Sequence, residues 1–272
     1  MPELPEVETT RRGVMPYLVG RRIVAVTVRD ARLRWPVPAN LQALLCHRQV
    51  LGIDRRGKYL LIRFEQGTLL VHLGMSGSLR VVEQAGAGLR KHDHVDLQLE
   101  DGRILRYHDP RRFGAFLWLE GDPLQHALLR GLGPEPLEQD FDGDYLHSRA
   151  RGRRSAVKQF LMDGRIVAGV GNIYANEALC LAGIRPQRQA GRVSLRRYRM
   201  LASAVRTVLG NAIAQGGTTL RDYVNGTGSP GYFRLSLSVY GREGEPCLHC
   251  RQPIRAVRSA QRATFFCPNC QT

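Results

Sequence analysis

The feature that most constrains this chain is a pair of CxxC motifs near its C-terminus. The four cysteines follow the spacing C-x2-C-x16-C-x2-C and are Cys247, Cys250, Cys267 and Cys270. This spacing is typical of a four-thiolate zinc site. A segment so short cannot build a hydrophobic core, and zinc binding worth about 10–16 kcal/mol can replace one. Because four protein ligands leave no open position on the ion, we expect one structural zinc ion in a C-terminal ribbon.

Disulfides are the alternative use of these cysteines. The N-terminus lacks the basic and apolar regions of a signal peptide, so we expect a cytoplasmic chain, in which structural disulfides are rare. The two remaining cysteines, Cys46 and Cys180, have no motif partner and are expected to be buried small apolar residues.

The charge balance points to a polyanionic partner. The 272 residues include 40 basic and 24 acidic ones, a net charge of +16, and nucleic acid is the first candidate for such a chain. No apolar run approaches the roughly 18 residues that a membrane span needs, so we expect no membrane partner. Lysine can lose its proton for chemistry more readily than arginine, and the chain has only Lys58, Lys91 and Lys158.

The apolar pattern changes along the chain. Between residues 21 and 120, short β-branched or alternating runs and tight turns such as Asp101-Gly102 predict an antiparallel β-sandwich. After the loop 131–136 the period becomes helical, most clearly over 195–213, until Gly216-Gly217 ends it. We therefore predict an α+β protein of three parts: a β-sandwich with an opening helix (1–130), a helical domain (131–234) and a zinc-finger hairpin (235–272).

The N-terminus offers a nucleophile. Pro5 and Glu6 fit the first turn of a helix, and a well-capped opening helix explains them without any catalytic role. Removal of Met1 would leave Pro2 as a secondary amine with a pKa near or below about 7.7–8.0, much of it unprotonated at neutral pH. Such an amine attacks a sugar carbon or an aldehyde and forms an iminium, and Glu3 beside it can pass protons.

Three further segments have both a purely structural and a functional interpretation. Two helical stretches flank the turn 169–171, with Asn172 placed to cap the second; this is either an ordinary helical hairpin or, after the basic cluster 151–158, a phosphate site. Met75, Arg111 and Phe113 stand at strand ends, as packing residues or as side chains that fill a duplex when a nucleotide is turned out. The Gly-rich run 216–231 is a linker or a lid.

Eight segments in order along the chain resemble bacterial formamidopyrimidine-DNA glycosylase. They are the opening Pro2-Glu-Leu-Pro-Glu-Val-Glu-Thr9, Gly57-Lys58-Tyr59, His72-Leu-Gly-Met-Ser-Gly77, Lys91-His-Asp-His94, Asp109-Pro-Arg-Arg-Phe-Gly114, Val170-Gly-Asn-Ile-Tyr174, Gln215-Gly-Gly-Thr-Thr219 and Gln261-Arg-Ala-Thr-Phe-Phe-Cys267. The resemblance implies a bifunctional repair enzyme that removes 8-oxoguanine and ring-opened purines from double-stranded DNA and cuts the strand, also at abasic sites. Nothing in the sequence indicates oligomerisation, so we expect a monomer. It implies a β-sandwich, a helix–two-turn–helix domain and a zinc finger, and no redox cofactor.

The resemblance also assigns roles to residues. Pro2 is the Schiff-base nucleophile at C1′, Glu3 the proton donor, Lys58 the acid for β-elimination and Arg262 the δ-elimination residue on the finger. His92, Arg111 and Arg153 contact DNA, although Arg151 and Arg154 compete with Arg153, and Asn172 marks the phosphate-binding turn. His72, in a family motif, and Lys158, beside the basic cluster, are added as DNA contacts. Met75, Arg111 and Phe113 fill the duplex, and residues 216–231 cover the flipped base. DNA binding implies nucleoid association.

Two alternatives remain open. An endonuclease VIII type enzyme shares the terminal proline, the helical motif and the finger but prefers oxidised pyrimidines; Leu4 and the Asp109–Phe113 loop favour the purine-specific branch. A non-catalytic zinc-ribbon nucleic-acid-binding protein explains the charge and the cysteines equally well, but it gives Pro2, Glu3 and Lys58 no purpose.

Overall fold

The structure is a computed structural model that describes residues 2–83, 88–216 and 237–272. It contains two compact units. One contains the described residues up to Arg130, and the other contains Gly131–Ala214 together with residues 237–272. The three-part division drawn from the sequence stays a prediction, as does the lid at 216–231, which apart from Gly216 lies outside the described residues.

The first unit opens with helix α1, Leu4–Leu18. Pro5 occupies the first turn, where its missing N–H costs no hydrogen bond. Glu3 and Glu6 form a capping box, in which each side chain accepts from a backbone N–H of the other's position. The opening helix predicted from Pro5 and Glu6 is confirmed.

Eight strands follow among the described residues of this unit and form two four-stranded antiparallel sheets. The first sheet has the order β1-β6-β7-β5, and the second has the order β2-β3-β4-β8. The strands are β1 (Ile23–Val28), β2 (Gly52–Arg56), β3 (Tyr59–Phe64), β4 (Gly67–His72), β5 (Ser78–Val82), β6 (Asp93–Leu99), β7 (Ile104–His108) and β8 (Ala115–Leu119), with the short helix α2 (Leu41–Leu45) between β1 and β2. The antiparallel β-sandwich is confirmed.

One apolar core holds this unit together. Side chains from α1, from α2 and from both sheets meet in it, among them Val14, Leu41, Leu60, Leu97 and Phe116. Each is at most 1 % exposed, so a truncation to alanine would cost about 2–5 kcal/mol. Cys46 is partly buried and packs against this core.

The second unit is helical and ends in a two-stranded ribbon. Its helices are α3 (Gly143–Ala150), α4 (Val157–Met162), α5 (Asn172–Leu181) and α6 (Leu195–Ala214), and the ribbon pairs β9 (Arg255–Ser259) with β10 (Arg262–Phe266). Helix α6 keeps the predicted apolar spacing, and its end is followed by Gly216 at φ +77°. Gly171 occupies the N-cap of α5, so Asn172 is its first helical residue and not the cap that the sequence indicated.

Candidate active site and nucleic-acid interface

The predicted site residues are divided between the two units. The first unit holds the candidates for bond making and for filling the duplex, and the second holds the candidates for phosphate contact, the metal ligands and the finger arginine. The first group is Pro2, Glu3, Lys58, His72, Met75, His92, Arg111 and Phe113; the second is Arg153, Lys158, Asn172, Arg262, Cys247, Cys250, Cys267 and Cys270.

Pro2 and Glu3 are held at the positive end of α1. Both residues are buried, and the backbone N–H of Glu3 donates to Glu6 Oε2 at 2.8 Å. The partial positive charge at a helix N-terminus favours the neutral form of an amine and stabilises a nearby carboxylate. An amine at Pro2 would therefore be a better nucleophile than one in solvent, with the Glu3 carboxyl group adjacent to it in the chain.

A chain of polar contacts connects α1 to the turn that carries Lys58. Glu8 Oε2 accepts from Arg55 Nε at 3.3 Å, and Arg55 Nη1 donates to the carbonyl oxygen of Gly57 at 3.0 Å. Glu8 also pairs with Arg11 and Arg12. Burial acts to raise the pKa of the Glu8 carboxyl group, but the surrounding guanidinium groups outweigh it and lower the pKa to about 2. Glu8 is thus a fixed anion that links α1 to the β2–β3 turn.

His72 ends β4 close to Lys58. Its Nδ1 accepts from the backbone N–H of Gly74 at 3.1 Å, and its ring lies 4.8 Å from the ring of Tyr59, centroid to centroid. Burial, followed by the positive charges of Lys58 and Arg34, lowers the pKa of His72 to about 4. His72 is therefore neutral at physiological pH, and it can contact DNA through hydrogen bonds but not as a cation.

The structure brings together the loops that carry Met75 and Phe113. Gly74 has φ +61°, and a Cβ placed on it would lie 2.6 Å from the backbone nitrogen of Gly114 and 2.7 Å from the carbonyl carbon of Phe113. Met75 and Phe113 are 39 % and 43 % exposed. The Arg111 guanidinium lies 5.1 Å from the centre of the Phe113 ring. Three large exposed side chains thus stand on two loops in direct backbone contact.

Hydrogen bonds of Asp109 hold the loop that carries Phe113. The buried carboxylate accepts from the backbone N–H of Gly114 at 2.8 Å and from the hydroxyl of Tyr107 at 3.3 Å. The same hydroxyl lies 3.0 Å from the carbonyl oxygen of His72. The β7–β8 loop and the end of β4 are therefore fixed by one buried tyrosine–aspartate pair.

His92 lies among other histidines at the start of β6. Its ring centre is 6.1 Å from those of His94 and His108. Its Nδ1 is buried and has no hydrogen-bond partner within the described residues. His108 Nδ1 pairs with Asp93 at 2.8 Å, yet burial lowers the pKa of His108.

In the second unit, Asn172 begins α5 and its Nδ2 donates to the carbonyl oxygen of Ala263 at 3.1 Å. The start of a helix offers backbone N–H groups to an anion. Arg153 is half-buried: its Nε donates to the carbonyl oxygen of Arg149 at 2.9 Å and its guanidinium lies over Phe160, whereas Arg151 and Arg154 are exposed. The phosphate contacts assigned to Asn172 and Arg153 from the sequence stay predictions.

Lys158 is buried, whereas a side chain that contacts phosphate lies at the surface. It is only 3 % exposed, and its Nζ donates to the carbonyl oxygen of Ala263 at 2.8 Å and to the hydroxyl of Thr264 at 2.7 Å. The ammonium group thus contacts the ribbon. The DNA contact assigned to Lys158 from the sequence stays a prediction.

The four predicted ligands meet in the ribbon. The Sγ atoms of Cys247, Cys250, Cys267 and Cys270 all lie within 4.8 Å of one another. Four sulfurs at about 2.3 Å from a central zinc ion are separated by roughly 3.8 Å in a tetrahedron, so the cluster fits the metal. The small apolar cluster here contains little besides two ligand cysteines, Val239 and Ile254, and Cys180 packs against it. The ion therefore supplies the stability that this core lacks.

Arg262 lies beside the tip of the ribbon hairpin and is exposed. The two turn residues, Ala260 and Gln261, have φ +46° and φ +63°, as a type I′ turn requires. Arg255 and Arg258 on β9 are exposed too. The hairpin therefore presents several guanidinium groups to solvent.

Three polar residues of this site were missed by the sequence reasoning. Asn176 on α5 binds a backbone group of the ribbon, Glu177 binds the backbone of the segment that precedes the ribbon, and Glu8 fixes the Lys58 turn. For Asn176, the spacing of four residues from Asn172 was the available signal, since it places both amides on one helix face. Nothing in the sequence indicates the partners of Asn176 and Glu177, about 60–90 residues away, or that of Glu8, 47 residues away.

The fold and the site define a class, that of helix–two-turn–helix proteins with a zinc-finger hairpin. Residues 1–116 match the N-terminal domain of formamidopyrimidine-DNA glycosylase, residues 132–224 its H2TH domain, and residues 244–272 the zinc finger found in FPG and IleRS. The chain belongs to the formamidopyrimidine-DNA glycosylase family. These matches confirm the resemblance, the zinc finger with its one structural zinc ion, and the α+β fold.

Relatives match over the whole chain. The formamidopyrimidine-DNA glycosylase of Methylococcus capsulatus is 61 % identical over 271 residues, with both chains covered completely. A Lactococcus lactis Fpg mutant solved with Fapy-dG containing DNA has a TM-score of 0.92 and 34 % identity, covering 100 % of each chain. The Lactococcus lactis Fpg solved with abasic-site DNA has the same TM-score and identity, covering 99 % of each. No described helix of the present chain has the length and apolar character that a membrane crossing demands.

Proposed function

We propose that this chain is a bifunctional DNA glycosylase and AP lyase of base excision repair. It excises oxidised purines, 8-oxoguanine and formamidopyrimidines, from double-stranded DNA and then cuts the strand. The observation that carries the proposal is the position of Pro2 and Glu3 at the capped N-terminus of α1, in a chain that belongs to this glycosylase family over its full length. We infer that it acts as a monomer on the nucleoid in the cytoplasm.

The first step is base release at C1′ of the damaged nucleoside. Once Met1 has been removed, the Pro2 nitrogen donates its lone pair to C1′ while the C1′–N bond breaks and its electron pair leaves with the base, which takes up a proton. The Pro2 nitrogen then loses its own proton. Its lone pair expels O4′, which is protonated by Glu3, and an iminium remains between Pro2 and the opened sugar.

The second step is strand cleavage by two eliminations. The iminium acidifies the C2′ proton; its removal lets the C3′–O bond break, and the 3′ phosphate leaves. Loss of a proton from C4′ then expels the 5′ phosphate. We assign Lys58 to the first elimination and Arg262 to the second. Water hydrolyses the remaining iminium, releasing an unsaturated aldehyde and free Pro2.

Recognition uses residues of both units. Turning a nucleotide out of the stack costs a few kcal/mol, and side chains that enter the gap offset this cost. Met75, Arg111 and Phe113 have the required size, exposure and mutual proximity, and we assign Arg111 to the unpaired cytosine. Phosphate contacts are assigned to His92, Arg153 and the turn at Asn172, supported by the positive charge of the chain.

Borohydride trapping on a duplex with one 8-oxoguanine tests the proposal. The protein, with removal of Met1 verified by mass, is expected to form a covalent adduct that Pro2→Gly abolishes while DNA binding persists. Absence of an adduct in the processed protein would favour the non-catalytic binder. A parallel release assay on a thymine glycol duplex separates the purine-specific enzyme from the endonuclease VIII type: faster release of thymine glycol than of 8-oxoguanine contradicts the assignment.

A further inference from the structure

The outer edge of the finger hairpin is covered by side chains of a helix. In the part of the chain that the structure describes, strand β10 pairs with β9 on one side only, and a two-stranded hairpin is marginally stable alone. On its other side, Asn172 Nδ2 donates to the carbonyl oxygen of Ala263, and Asn176 Oδ1 accepts from the backbone N–H of Phe265 at 2.9 Å. These side chains thus take the place of a third strand.

The spacing of the two elements makes this possible. Four residues of α-helix rise about 6 Å, and two residues of strand advance roughly 6.6 Å. Side chains four apart on α5 therefore match backbone groups two apart on β10. Asn176 Nδ2 also donates to the carbonyl oxygen of Asn172, so the two asparagines are joined to each other. We call Asn172, Asn176 and their partners on Ala263 and Phe265 the α5–β10 clasp.

The clasp acts where the zinc ion cannot. Cys267, the nearest ligand, is five residues from Arg262, about 16 Å along an extended strand. Ala263, whose carbonyl oxygen accepts from both Asn172 and Lys158, is the next residue after Arg262. The metal fixes the base of the ribbon, and the clasp fixes the strand next to its tip.

Glu177 strengthens the same attachment from the following position on α5. Its buried carboxylate accepts from the backbone N–H groups of Ser238, Val239 and Tyr240 at 2.8, 3.0 and 2.8 Å. The Tyr240 ring packs against that of Phe265, with centroids 5.1 Å apart. Neighbouring residues of one helix therefore hold both chain segments of the finger.

We propose that Asn176 is a positioning residue that places Arg262 for the second elimination. The inference rests on the proposed function, in which Arg262 promotes loss of the 5′ phosphate. Asn176 is the member of the clasp suited to a test because Asn172 and Lys158 are predicted to contact DNA, and their loss would combine weaker binding with displaced geometry. Asn176 itself is fully buried, and its side chain contacts the backbone of the hairpin at Phe265.

The experiment measures the ratio of the two cleavage products in a single turnover on an 8-oxoguanine duplex. Asn176→Leu removes both hydrogen bonds while keeping the number and branching of the side-chain heavy atoms. We expect it to lower the conversion of β-product to δ-product by about tenfold or more, because a 1 Å displacement of a catalytic group can cost ~10²-fold. Base release and zinc content should stay at wild-type values. Asn176→Asp keeps an acceptor for Phe265 and should retain more of the second elimination.

The matched control is Gln271→Met. The Gln271 amide is also buried and also joins the ribbon to the helical part, since its Oε1 accepts from the Cys267 N–H and its Nε2 donates to Ile184, but it lies at the zinc end. We expect its product ratio to be unchanged. A wild-type ratio in Asn176→Leu, or an equal fall in Gln271→Met, overturns the proposal.

A second readout separates this inference from the proposed function. If the wild-type protein gives neither elimination product, the proposed function has failed. Hydrogen exchange of the Phe265 amide then still tests the clasp: Asn176→Leu should speed exchange there relative to Gln271→Met. Unchanged protection of that amide overturns the inference.

Discussion

The ring of His72 is a neutral hydrogen-bond acceptor in the folded protein, because burial and then two nearby cations lower its pKa. Protonation of Nδ1 would remove the acceptor of the Gly74 N–H and would add a positive charge close to Lys58 and Arg34. The Gly74 turn is the one that meets the backbone of Phe113 and Gly114. The protonation state of a single histidine is therefore tied to the geometry of the loops that carry Met75 and Phe113.

This coupling predicts a loss of stability in mild acid. The pKa of His72 is about 4 in the folded protein, below its unfolded value of 6.5. Its contribution is therefore complete above pH 6.5 and is lost as the pH falls from 6.5 through 4, by up to about 3 kcal/mol. Urea unfolding at pH 7.5 and at pH 5 should show a smaller decrease for His72→Gln than for the wild type. His108, whose pKa is also lowered, adds a decrease of the same sign in both proteins. An equal loss of stability between pH 7.5 and pH 5 in both proteins would contradict the assignment to His72.

Among the helices and strands, α1 and the β2–β3 turn form one functional pair. Glu8 lies on the second turn of α1, and its contact with Arg55 reaches the loop that holds Lys58. The candidate nucleophile and the candidate acid for the first elimination are thus carried by two elements joined through one buried carboxylate.

Neutralising that carboxylate should destabilise the first unit. Glu8→Gln removes the anion shared by Arg11, Arg12 and Arg55, and we expect a loss of about 2 kcal/mol in the free energy of unfolding. The matched control is Asp144→Asn, which weakens an exposed ion pair with Arg199; solvent screens this pair, so we expect a much smaller loss of stability. The measurement is the free energy of unfolding of both variants by denaturant. Equal losses would mean that the Glu8 cluster is no more than a surface ion pair.

The zinc finger needs its metal ion for structure and not for catalysis. Chelation of the ion should unfold the ribbon, because its apolar cluster is too small to hold it alone. We expect the chelated protein, or Cys267→Ser, to lose strong DNA binding and strand cleavage together, with the apolar core of the first unit intact by circular dichroism. A second elimination that survives loss of the ribbon would contradict the role assigned to Arg262.

The sequence could predict the parts of this molecule that depend on local periods. The alternation in β6 and the helical spacing in α6 reflect burial on one face, and the cysteine spacing reflects the geometry of one ion. Contacts such as that of Asn176 with Phe265 depend on how α5 packs on the ribbon, and no local pattern encodes this. The prediction that Asn172 caps α5 was wrong for a related reason. The Asn172 amide donates to the ribbon, and Gly171 occupies the N-cap.

For the molecule as a whole, the net charge of +16 is the property that DNA binding should reveal most directly. A protein that neutralises phosphates releases counterions, and log K falls with log salt by about 0.9 per phosphate contact. Binding to an abasic duplex should therefore weaken steeply with salt. A flat response would remove the electrostatic argument for the interface.

The same measurement can identify which arginine of the basic cluster contacts phosphate. Arg153 is anchored by Arg149 and Phe160, so its guanidinium loses less conformational entropy on binding than those of the exposed Arg151 and Arg154. We expect Arg153→Gln to reduce the salt slope by about 0.9, and the other two variants to change it less. Arg165→Gln, at a highly exposed arginine paired with Asp163, serves as the control for net charge alone. An equal reduction in Arg165→Gln would show that overall charge, and not a localised phosphate contact, sets the slope.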